Sequence, residues 1–240
     1  MVRLLRGCLL ATIVVACQTA TATIIGFGET TGGANDCTST GTACSIATPG
    51  GSPPIPNPIK KDPNNGTLLV WDEQQNVELE LDLLVDRVAD ENASFVMGDG
   101  NGGFKILAGT IVSSHYAQWD PEPLGDPRID TTLLFDSDIF AFITEDGKLF
   151  GSDEALGLPG FDYADFGLRG LESGDTTEFG EDLTKVEISW AATSPGDWTR
   201  IITAFSPAAV ASVPEPSTLM LFSIGLLGAG LVKRYRKANA

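Results

Sequence analysis

The sequence predicts an all-β protein: a β-sandwich-like ectodomain with an N-terminal signal peptide and a single short C-terminal transmembrane helix. Three observations predict this organisation. Short apolar runs alternate with turn residues through the middle of the chain. An apolar stretch follows two arginines near the N-terminus, and a second apolar stretch precedes a basic cluster at the C-terminus. A chain of 240 residues can hold one or two domains.

The N-terminus has the three parts of an export signal. Arg3 and Arg6 supply positive charge, residues 8–17 are apolar, and small residues ending at Ala22 offer a cleavage site. Residues 1–22 are therefore predicted to be a signal peptide, handled by the Sec export machinery and signal peptidase.

A competing processing site overlaps this signal. Residues 14–17 (VVAC) resemble a lipobox, in which Cys17 would be lipidated and would become the mature N-terminus. The sequence leaves open whether Cys17 is lipidated or the chain is cleaved after Ala22.

Residues 23–66 are predicted to be an extended segment, because proline, glycine and asparagine crowd residues 50–66 and oppose regular pairing. Cys37 and Cys44 lie in this segment. An exported chain reaches an oxidising compartment, so these two cysteines are predicted to form a disulfide. Closing so short a loop is worth about 2.5 kcal/mol by loop entropy.

Residues 67–206 are predicted to form the β-sandwich as one domain. The predicted strands are residues 67–71, 76–86, 104–112, 131–135, 139–144, 183–191 and 198–205. Turn-forming residues separate these runs, as in sandwich folds. Residues 152–157 are instead predicted to be one helical turn with Ser152 as its cap.

The run at residues 76–86 shows the alternation most clearly. Apolar residues occupy every second position from Val77 to Val85, mostly with acidic residues between them. Leu and Glu favour helices, but on a helix these apolar residues would spread around the circumference. The period of two therefore predicts one half-buried strand.

The C-terminus combines three further parts. Residues 207–218 form a linker that contains Pro214-Glu215-Pro216. The 14 apolar residues at 219–232 would span about 21 Å as a helix, short of the roughly 30 Å of a bilayer core. The basic residues of 233–240 would hold this end in the cytoplasm and leave the ectodomain outside.

This end of the chain resembles the PEP-CTERM sorting domain of exopolysaccharide-producing Gram-negative bacteria. The resemblance is carried by residues 213–218 (VPEPST), the short apolar run and the basic tail. It implies recognition by an exosortase, a membrane cysteine protease, and cleavage near Pro214, Glu215 and Pro216. The protein would be held briefly in the inner membrane and then reach the cell surface or the extracellular matrix.

The ectodomain is also similar to one group of exported PEP-CTERM proteins. The matching blocks are residues 71–77 (WDEQQNV), 114–116, 119–120, 135–137, 152–153, 168–172 and 198–203 (WTRIIT). No biochemical activity is established for this group, so the resemblance implies a destination and a fold more than a mechanism.

Charge and composition exclude several classes of function. The net charge is −17, and nine basic residues face 31 acidic ones once both ends and Glu215 are set aside. A body this acidic repels phosphate, which excludes nucleic acid as a partner. His115 is the single histidine, so the chain has no multi-histidine metal centre.

For the histidine and three of the tryptophans, the sequence favours structural roles over catalysis and over stacking on sugars. The chain has no Gly-x-Ser-x-Gly elbow to accompany His115, which is predicted to be a structural histidine at a strand end. Trp71, Trp119 and Trp198 could stack on sugars, but they lie in or near apolar runs and are predicted to be buried.

The sequence predicts no cofactor, and calcium is the single candidate that we keep. Residues 99–102 form an acidic loop, and acidic residues at 136–138 and 153–154 lie near predicted strand ends. Calcium binds carboxylate and carbonyl oxygens, but none of these segments matches an EF-hand loop. The metal ligands therefore stay unknown, and the alternative is a diffuse acidic surface that keeps the protein soluble.

The sequence as a whole predicts an exported, non-enzymatic protein of the cell surface or extracellular matrix, sorted by an exosortase. The alternative is a carbohydrate-binding module on the same export system, calcium-dependent in one version, with exopolysaccharide as its partner. A secreted hydrolase is a third hypothesis, because adjacent carboxylates are plentiful, but the sequence does not place two of them across a cleft.

Overall fold

Strands dominate the part of the chain that the computed structural model describes, namely residues 24–28, 44–59, 66–120, 128–164, 167, 169–191 and 196–205. All of these residues belong to one compact unit, Thr21–Ala211. The strands are β1 (Ile24–Gly28), β2 (Cys44–Ile46), β3 (Leu68–Asp72), β4 (Val77–Glu78), β5 (Leu83–Val85), β6 (Arg87–Val88), β7 (Val96–Gly98), β8 (Phe104–Ile106), β9 (Ile111–Trp119), β10 (Ile129–Phe135), β11 (Ile139–Ile143), β12 (Thr176–Phe179), β13 (Lys185–Trp190) and β14 (Asp197–Thr203). One helix, α1 (Asp146–Leu156), accompanies them. The described residues therefore confirm the predicted all-β class.

The largest sheet has seven strands and lies at the centre of the packing. Its order is β2-β3-β9-β14-β11-β6, and β4 pairs with the beginning of β9. β9 and β14 pair along their whole common length, and every residue of β14 is buried. Among the described strand pairs of this sheet, only β2–β3 is parallel.

A second, antiparallel sheet in the order β1-β10-β13-β12 covers one face of the central sheet. The predicted alternation is confirmed in β13, where Val186, Ile188 and Trp190 are buried and the residues between them are more exposed. These three side chains join Leu68 and Ile201 of the central sheet in one apolar cluster. The two sheets thus pack face to face over a shared core, as in a sandwich.

The opposite face of the central sheet is covered by α1 and a three-stranded sheet in the order β5-β8-β7. Leu149 and Leu156 of α1 pack in a second cluster with Trp71 and Ile202 of the central sheet. A sheet buried on both faces needs apolar residues at consecutive positions, and this is why β3 and β11 read as continuous apolar runs.

The single strand predicted for residues 76–86 is wrong. The segment contains β4 and β5, which belong to different sheets, and Leu81 between them is 80% exposed. Asp82 accepts hydrogen bonds from the backbone amide of Ala108 (3.1 Å) and from Lys105 (2.8 Å). These bonds hold the chain to a neighbouring turn, so the strand pairing is interrupted although the apolar period continues.

The strand predicted for residues 104–112 is also divided. β8 ends at Ile106, a turn follows, and β9 begins at Ile111. The turn is closed by a bond from the amide of Thr110 to the carbonyl of Leu107 (3.3 Å), and Gly109 has a φ of +84°. Glycine is the residue that reaches this φ without strain, so Gly109 marks the break.

The helical turn predicted at residues 152–157 is longer than expected and begins earlier. α1 runs from Asp146, so Ser152 lies in its interior and the predicted capping role is wrong. The Ser152 hydroxyl instead donates to the carbonyl oxygens of Lys148 (2.8 Å) and Leu149 (2.9 Å). Asp86 accepts bonds from the backbone amides of Thr144 and Glu145, and a carboxylate there favours the helix N-terminus.

Two strands come from the predicted extended segment, residues 23–66. β1 forms an edge of the four-stranded sheet and β2 an edge of the seven-stranded sheet. Ile55 and Ile59 from the same segment are buried in the cluster that faces α1. The proline-rich chain therefore contributes to the core even where it forms no regular strand.

Candidate functional site

The core contains a fully buried ion pair between β14 and the segment that follows β3. Arg200 donates from Nε to Glu73 Oε2 (2.6 Å) and from Nη2 to Glu73 Oε1 (2.8 Å). Both side chains are completely buried. Ser114 donates a further hydrogen bond of 2.5 Å to Glu73 Oε2. A forked pair of this kind fixes the position of the carboxylate as well as balancing its charge.

A second arginine extends this pair into a network. Arg169 donates from Nη1 and Nη2 to the two oxygens of Asp153 (2.5 and 2.7 Å) and from Nε to the hydroxyl of Tyr116 (2.9 Å). Asp153 Oδ1 also accepts from Arg200 Nη2 at 2.9 Å, so this carboxylate joins the two arginines. Two cations and two anions therefore balance inside the core.

Two tyrosine rings line the network. The guanidinium carbons of Arg169 and Arg200 lie 5.1–5.7 Å from the ring centroids of Tyr116 and Tyr163, within cation–π range. Burial raises the pKa of Tyr116 to about 12. Burial, together with the charge of Glu73, raises the pKa of Tyr163 above its ordinary value. Both phenols therefore stay protonated throughout the physiological range.

The two arginines stay charged because their carboxylate partners outweigh the effect of burial on the pKa. Burial lowers the pKa of Arg200, but the charge and hydrogen bonds of Glu73 outweigh burial and leave this pKa raised. Burial likewise lowers the pKa of Arg169, and Asp153 outweighs it in the same way. The charges of the network therefore stay fixed, and its ion pairs and hydrogen bonds hold β3, β9, β14 and α1 together.

Most of the sequence blocks that the sequence analysis compared with exported PEP-CTERM proteins meet at this network. They supply Trp71 and Glu73, Ser114 and Tyr116, Ser152 and Asp153, Arg169, and Arg200. The two glutamines of the first block add hydrogen bonds to α1 and β9. Gln74 Nε2 donates to the carbonyl of Ala155 (3.0 Å), and Gln75 Nε2 donates to the carbonyl of Ser114 (2.7 Å). Sequence reasoning did not single out Glu73 or Arg200. The available signal was an arginine inside the apolar run of residues 198–203.

His115 is structural, as predicted, but it lies inside β9 and not at a strand end. Its Nδ1 is 2.7 Å from Asp72 Oδ1 and its Nε2 is 3.1 Å from Thr203 Oγ1. An acid, a histidine and a hydroxyl thus converge, as they do in a catalytic triad. The histidine and Thr203 are completely buried, and Phe135 packs edge-on against the imidazole ring. The arrangement joins three neighbouring strands, and both ring nitrogens of His115 are engaged in it.

Two of the three predicted calcium segments use an aspartate carboxylate internally. Asp99 Oδ1 accepts the amides of Asn101 (2.7 Å) and Gly103 (2.9 Å), which closes the acidic loop on itself. Asp153 is held by the two arginines. Over the described ranges, no three His, Cys, Asp or Glu side chains converge as a group that could hold a metal ion.

A different acidic residue stands out at the beginning of β14. Asp197 is completely buried, and neither of its carboxylate oxygens has a hydrogen-bond partner of normal geometry among the residues that the structure describes. Burial, reinforced by the charges of Asp175, Glu172 and Asp120, raises the pKa of Asp197 to about 8. Sequence reasoning missed this residue, because it looks like one more acid among many.

The tryptophans and one cysteine follow the sequence predictions in part. Trp71, Trp119 and Trp198 are 0–2% exposed, so their burial is confirmed and their rings are unavailable for stacking on a sugar. Cys44 is disulfide-bonded. Its predicted partner, Cys37, lies outside the described residues, so the pairing itself stays a prediction.

A cavity of about 600 Å³ lies between α1 and the segment that joins β4 to β5. Its lining includes Leu81, Leu84, Glu80 and Glu154 along the rim and Ser152 deeper in. Ser152 Oγ accepts a hydrogen bond of 2.5 Å from Arg200 Nη1, so the cavity reaches the buried network. The lining holds no His or Cys and a single lysine, Lys148.

The predicted processing and membrane segments lie outside the described residues. They are the signal peptide at 1–22, the linker at 207–218 with Pro214, Glu215 and Pro216, the transmembrane helix at 219–232 and the tail at 233–240. Where the chain is described, its helix is too short to cross a bilayer.

Comparison with known proteins identifies the C-terminal end. Residues 212–237 match the family model of the PEP-CTERM protein-sorting motif. No curated protein and no solved structure matches the chain. The matched residues contain Pro214-Glu215-Pro216, the apolar run and the basic cluster, which are the parts that the sequence analysis had compared with this family. The chain carries a PEP-CTERM protein-sorting motif, and this motif implies an exported protein targeted to an exosortase.

Proposed function

We propose that this protein is a non-enzymatic component of the cell surface or the extracellular matrix of a Gram-negative bacterium, released by an exosortase that cleaves near Pro214-Glu215-Pro216. The match of residues 212–237 to the sorting motif carries the proposal. The N-terminal signal delivers the chain to the Sec machinery, and residues 219–232 hold it in the inner membrane until cleavage.

The interior of the ectodomain supports a structural role. The buried acids and the histidine form internal bonds: Glu73 and Asp153 pair with arginines, and His115 pairs with Asp72 and Thr203. A hydrolase needs an acid or a nucleophile that reaches its substrate. Within the described residues, these groups stabilise the sheet instead.

The test is the C-terminal sequence of the protein recovered from its native cells, determined by mass spectrometry. We expect a terminus near residues 214–218, with residues 219–240 missing, and recovery in the surface or matrix fraction. A chain that still ends at Ala240 in those fractions contradicts the proposal. Deleting the exosortase should restore the intact C-terminus and retain the protein in the membrane fraction.

A pair of proline variants separates motif recognition from a general effect on the linker. Pro214→Ala changes the motif itself, while Pro207→Ala makes the same substitution outside the matched residues. We expect the first variant to accumulate uncleaved and the second to be processed like the parent chain. Equal processing of the two variants would show that the Pro-Glu-Pro sequence does not direct cleavage.

A further inference from the structure

The cavity between α1 and the segment that joins β4 to β5 is lined by two kinds of exposed side chain. Leu81 and Leu84 lie at its rim and are 80% and 48% exposed. Glu78, Glu80 and Glu154 line the same cavity and are also exposed. Large apolar side chains therefore stand beside carboxylates at the opening, where a partner of matching chemistry could cover both.

The negative charge of the lining is only partly balanced by the chain itself. Lys148, the single lysine of the lining, is paired with Asp86 and Glu145. Asp82 is paired with Lys105 at 2.8 Å. Three further carboxylates of the lining have no ion pair with any other described residue, namely those of Glu78, Glu80 and Glu154. A cationic group entering the cavity would therefore find carboxylates that have no cation of their own.

The cavity is built from elements that the core holds in place. Leu79 and Leu83 of the lining are 4% and 6% exposed and belong to the apolar cluster that packs against α1. On the helix side, Ser152 is bonded to Arg200 of the buried network. A Cβ atom on Gly151 would meet nothing within 4 Å beyond the backbone of α1 and the adjacent residues, so the helix leaves room there. A preformed cavity costs little conformational entropy when it binds a ligand.

The lining favours one class of ligand over the others. Sugars stack on aromatic rings, and the described residues of the lining include no aromatic side chain. Phosphates and other anions are repelled by the carboxylates. A basic group is attracted by them, and an apolar group beside it gains free energy by covering Leu81 and Leu84. We infer that this cavity binds a basic amphipathic peptide segment of a partner protein, in which leucine-like side chains are flanked by Lys or Arg.

The two sides of the cavity define how such a segment is recognised. Glu80 comes from the segment between β4 and β5, whereas Glu154 comes from α1, so a peptide that crosses the cavity meets a carboxylate on each side. Exposed ion pairs contribute little affinity each. Contact with Leu81 therefore supplies more of the affinity, and the carboxylates select a basic partner over an acidic one.

Fluorescence anisotropy tests the inference with the full chain in phosphatidylcholine nanodiscs, and empty discs serve as the blank. The probe is the labelled pentapeptide Lys-Leu-Lys-Leu-Lys. We expect saturable binding that salt weakens, and no binding of Glu-Leu-Glu-Leu-Glu. Leu81→Ser should weaken binding about ten-fold, and Glu80→Gln and Glu154→Gln about three-fold each. All three variants should fold, because the replaced side chains are exposed.

Leu183→Ser and Glu91→Gln are the matched controls, because both side chains are exposed and lie outside the lining. These variants should bind the basic peptide like the parent chain. Equal weakening by Glu91→Gln and Glu80→Gln would overturn the inference and show a diffuse attraction to the acidic surface. Failure of the parent chain to bind, or equal binding of the acidic peptide, would overturn it too. None of these results bears on cleavage at the sorting motif, so the two proposals fail separately.

Discussion

Arg200 and Glu73 are 127 residues apart in the chain, yet their side chains form a forked ion pair with no exposed surface. The pair ties the last strand of the described chain to the end of β3. Arg200 also reaches α1 through Ser152, so one guanidinium joins the central sheet to the helix that covers it.

Removing this arginine should destabilise the protein severely. Arg200→Leu leaves Glu73 buried without its partner, and we expect the free energy of unfolding to fall by about 3–5 kcal/mol. Urea denaturation followed by circular dichroism measures the loss. The double variant Glu73→Leu with Arg200→Leu should recover a large part of it, because no uncompensated charge remains.

A matched control is the ion pair between Arg87 and Glu178, whose side chains are 44% and 42% exposed. Arg87→Leu should cost less than about 1 kcal/mol, since exposed ion pairs contribute little. If Arg87→Leu and Arg200→Leu lower the free energy of unfolding by similar amounts, the buried network contributes no more to stability than an exposed ion pair, and the prediction is contradicted.

Gly170 should not tolerate a side chain. Its φ is +134°, and a Cβ atom would overlap the carbonyl oxygen of Thr144. We expect Gly170→Ala to lower the free energy of unfolding by about 2 kcal/mol or more. Gly151→Ala is the control, because Gly151 lies in α1 with open space at its Cβ position. That variant should gain about 0.5–1 kcal/mol, and a loss there would contradict the helix.

Alkaline pH should unfold the protein through its buried tyrosines. The pKa of Tyr116 is raised to about 12 and that of Tyr163 is raised as well, while an unfolded tyrosine titrates near 10. The folded chain therefore holds protons that the unfolded chain releases. The stabilisation is complete below pH 10 and falls between pH 10 and 12, by about 1.4 kcal/mol per pH unit for each group.

Tyrosinate absorbance and circular dichroism, recorded in the same alkaline titration, check this expectation. Two of the three tyrosines should ionise together with loss of the folded signal. The Tyr116→Phe variant should show a shallower loss of stability. Ionisation of all three near pH 10 with the fold intact would mean that the phenols are accessible.

The tryptophans should be shielded from solvent. All four, Trp71, Trp119, Trp190 and Trp198, are 0–2% exposed. We expect iodide to quench the fluorescence of the folded protein only weakly, and to quench it strongly in denaturant. Added matrix polysaccharide should leave the emission unchanged, because no indole is available to stack on a sugar. A saturable change with polysaccharide would favour the carbohydrate-binding alternative.

Local patterns predicted the fold class and much of the sandwich. The alternation of Val186, Ile188 and Trp190 with polar residues needs only a period of two, and β13 follows it. The buried strands β3 and β11 were also found, because a run of apolar residues between turn signals is a local property.

The errors and omissions have a common physical origin in distant contacts. Residues 76–86 keep their apolar period, but Asp82 is bonded to Ala108, 26 residues further along, and the strand breaks. The pairing of Glu73 with Arg200 and the gathering of acids around Asp197 depend on the whole topology. A composition rich in acidic residues hides which carboxylates are buried.

The position of β14 sets the order in which an exported chain can fold. β14 is the last strand in the described sequence, yet it lies between β9 and β11 in the middle of the central sheet. A chain that leaves the cytoplasm N-terminus first therefore presents β9 and β11 outside the membrane before their shared partner arrives. The sheet closes only after residue 203 has crossed, with the sorting motif beginning nine residues later. For a chain exported in this direction, secretion would set the time of folding, and the unpaired edges of β9 and β11 would need protection from aggregation until β14 arrives.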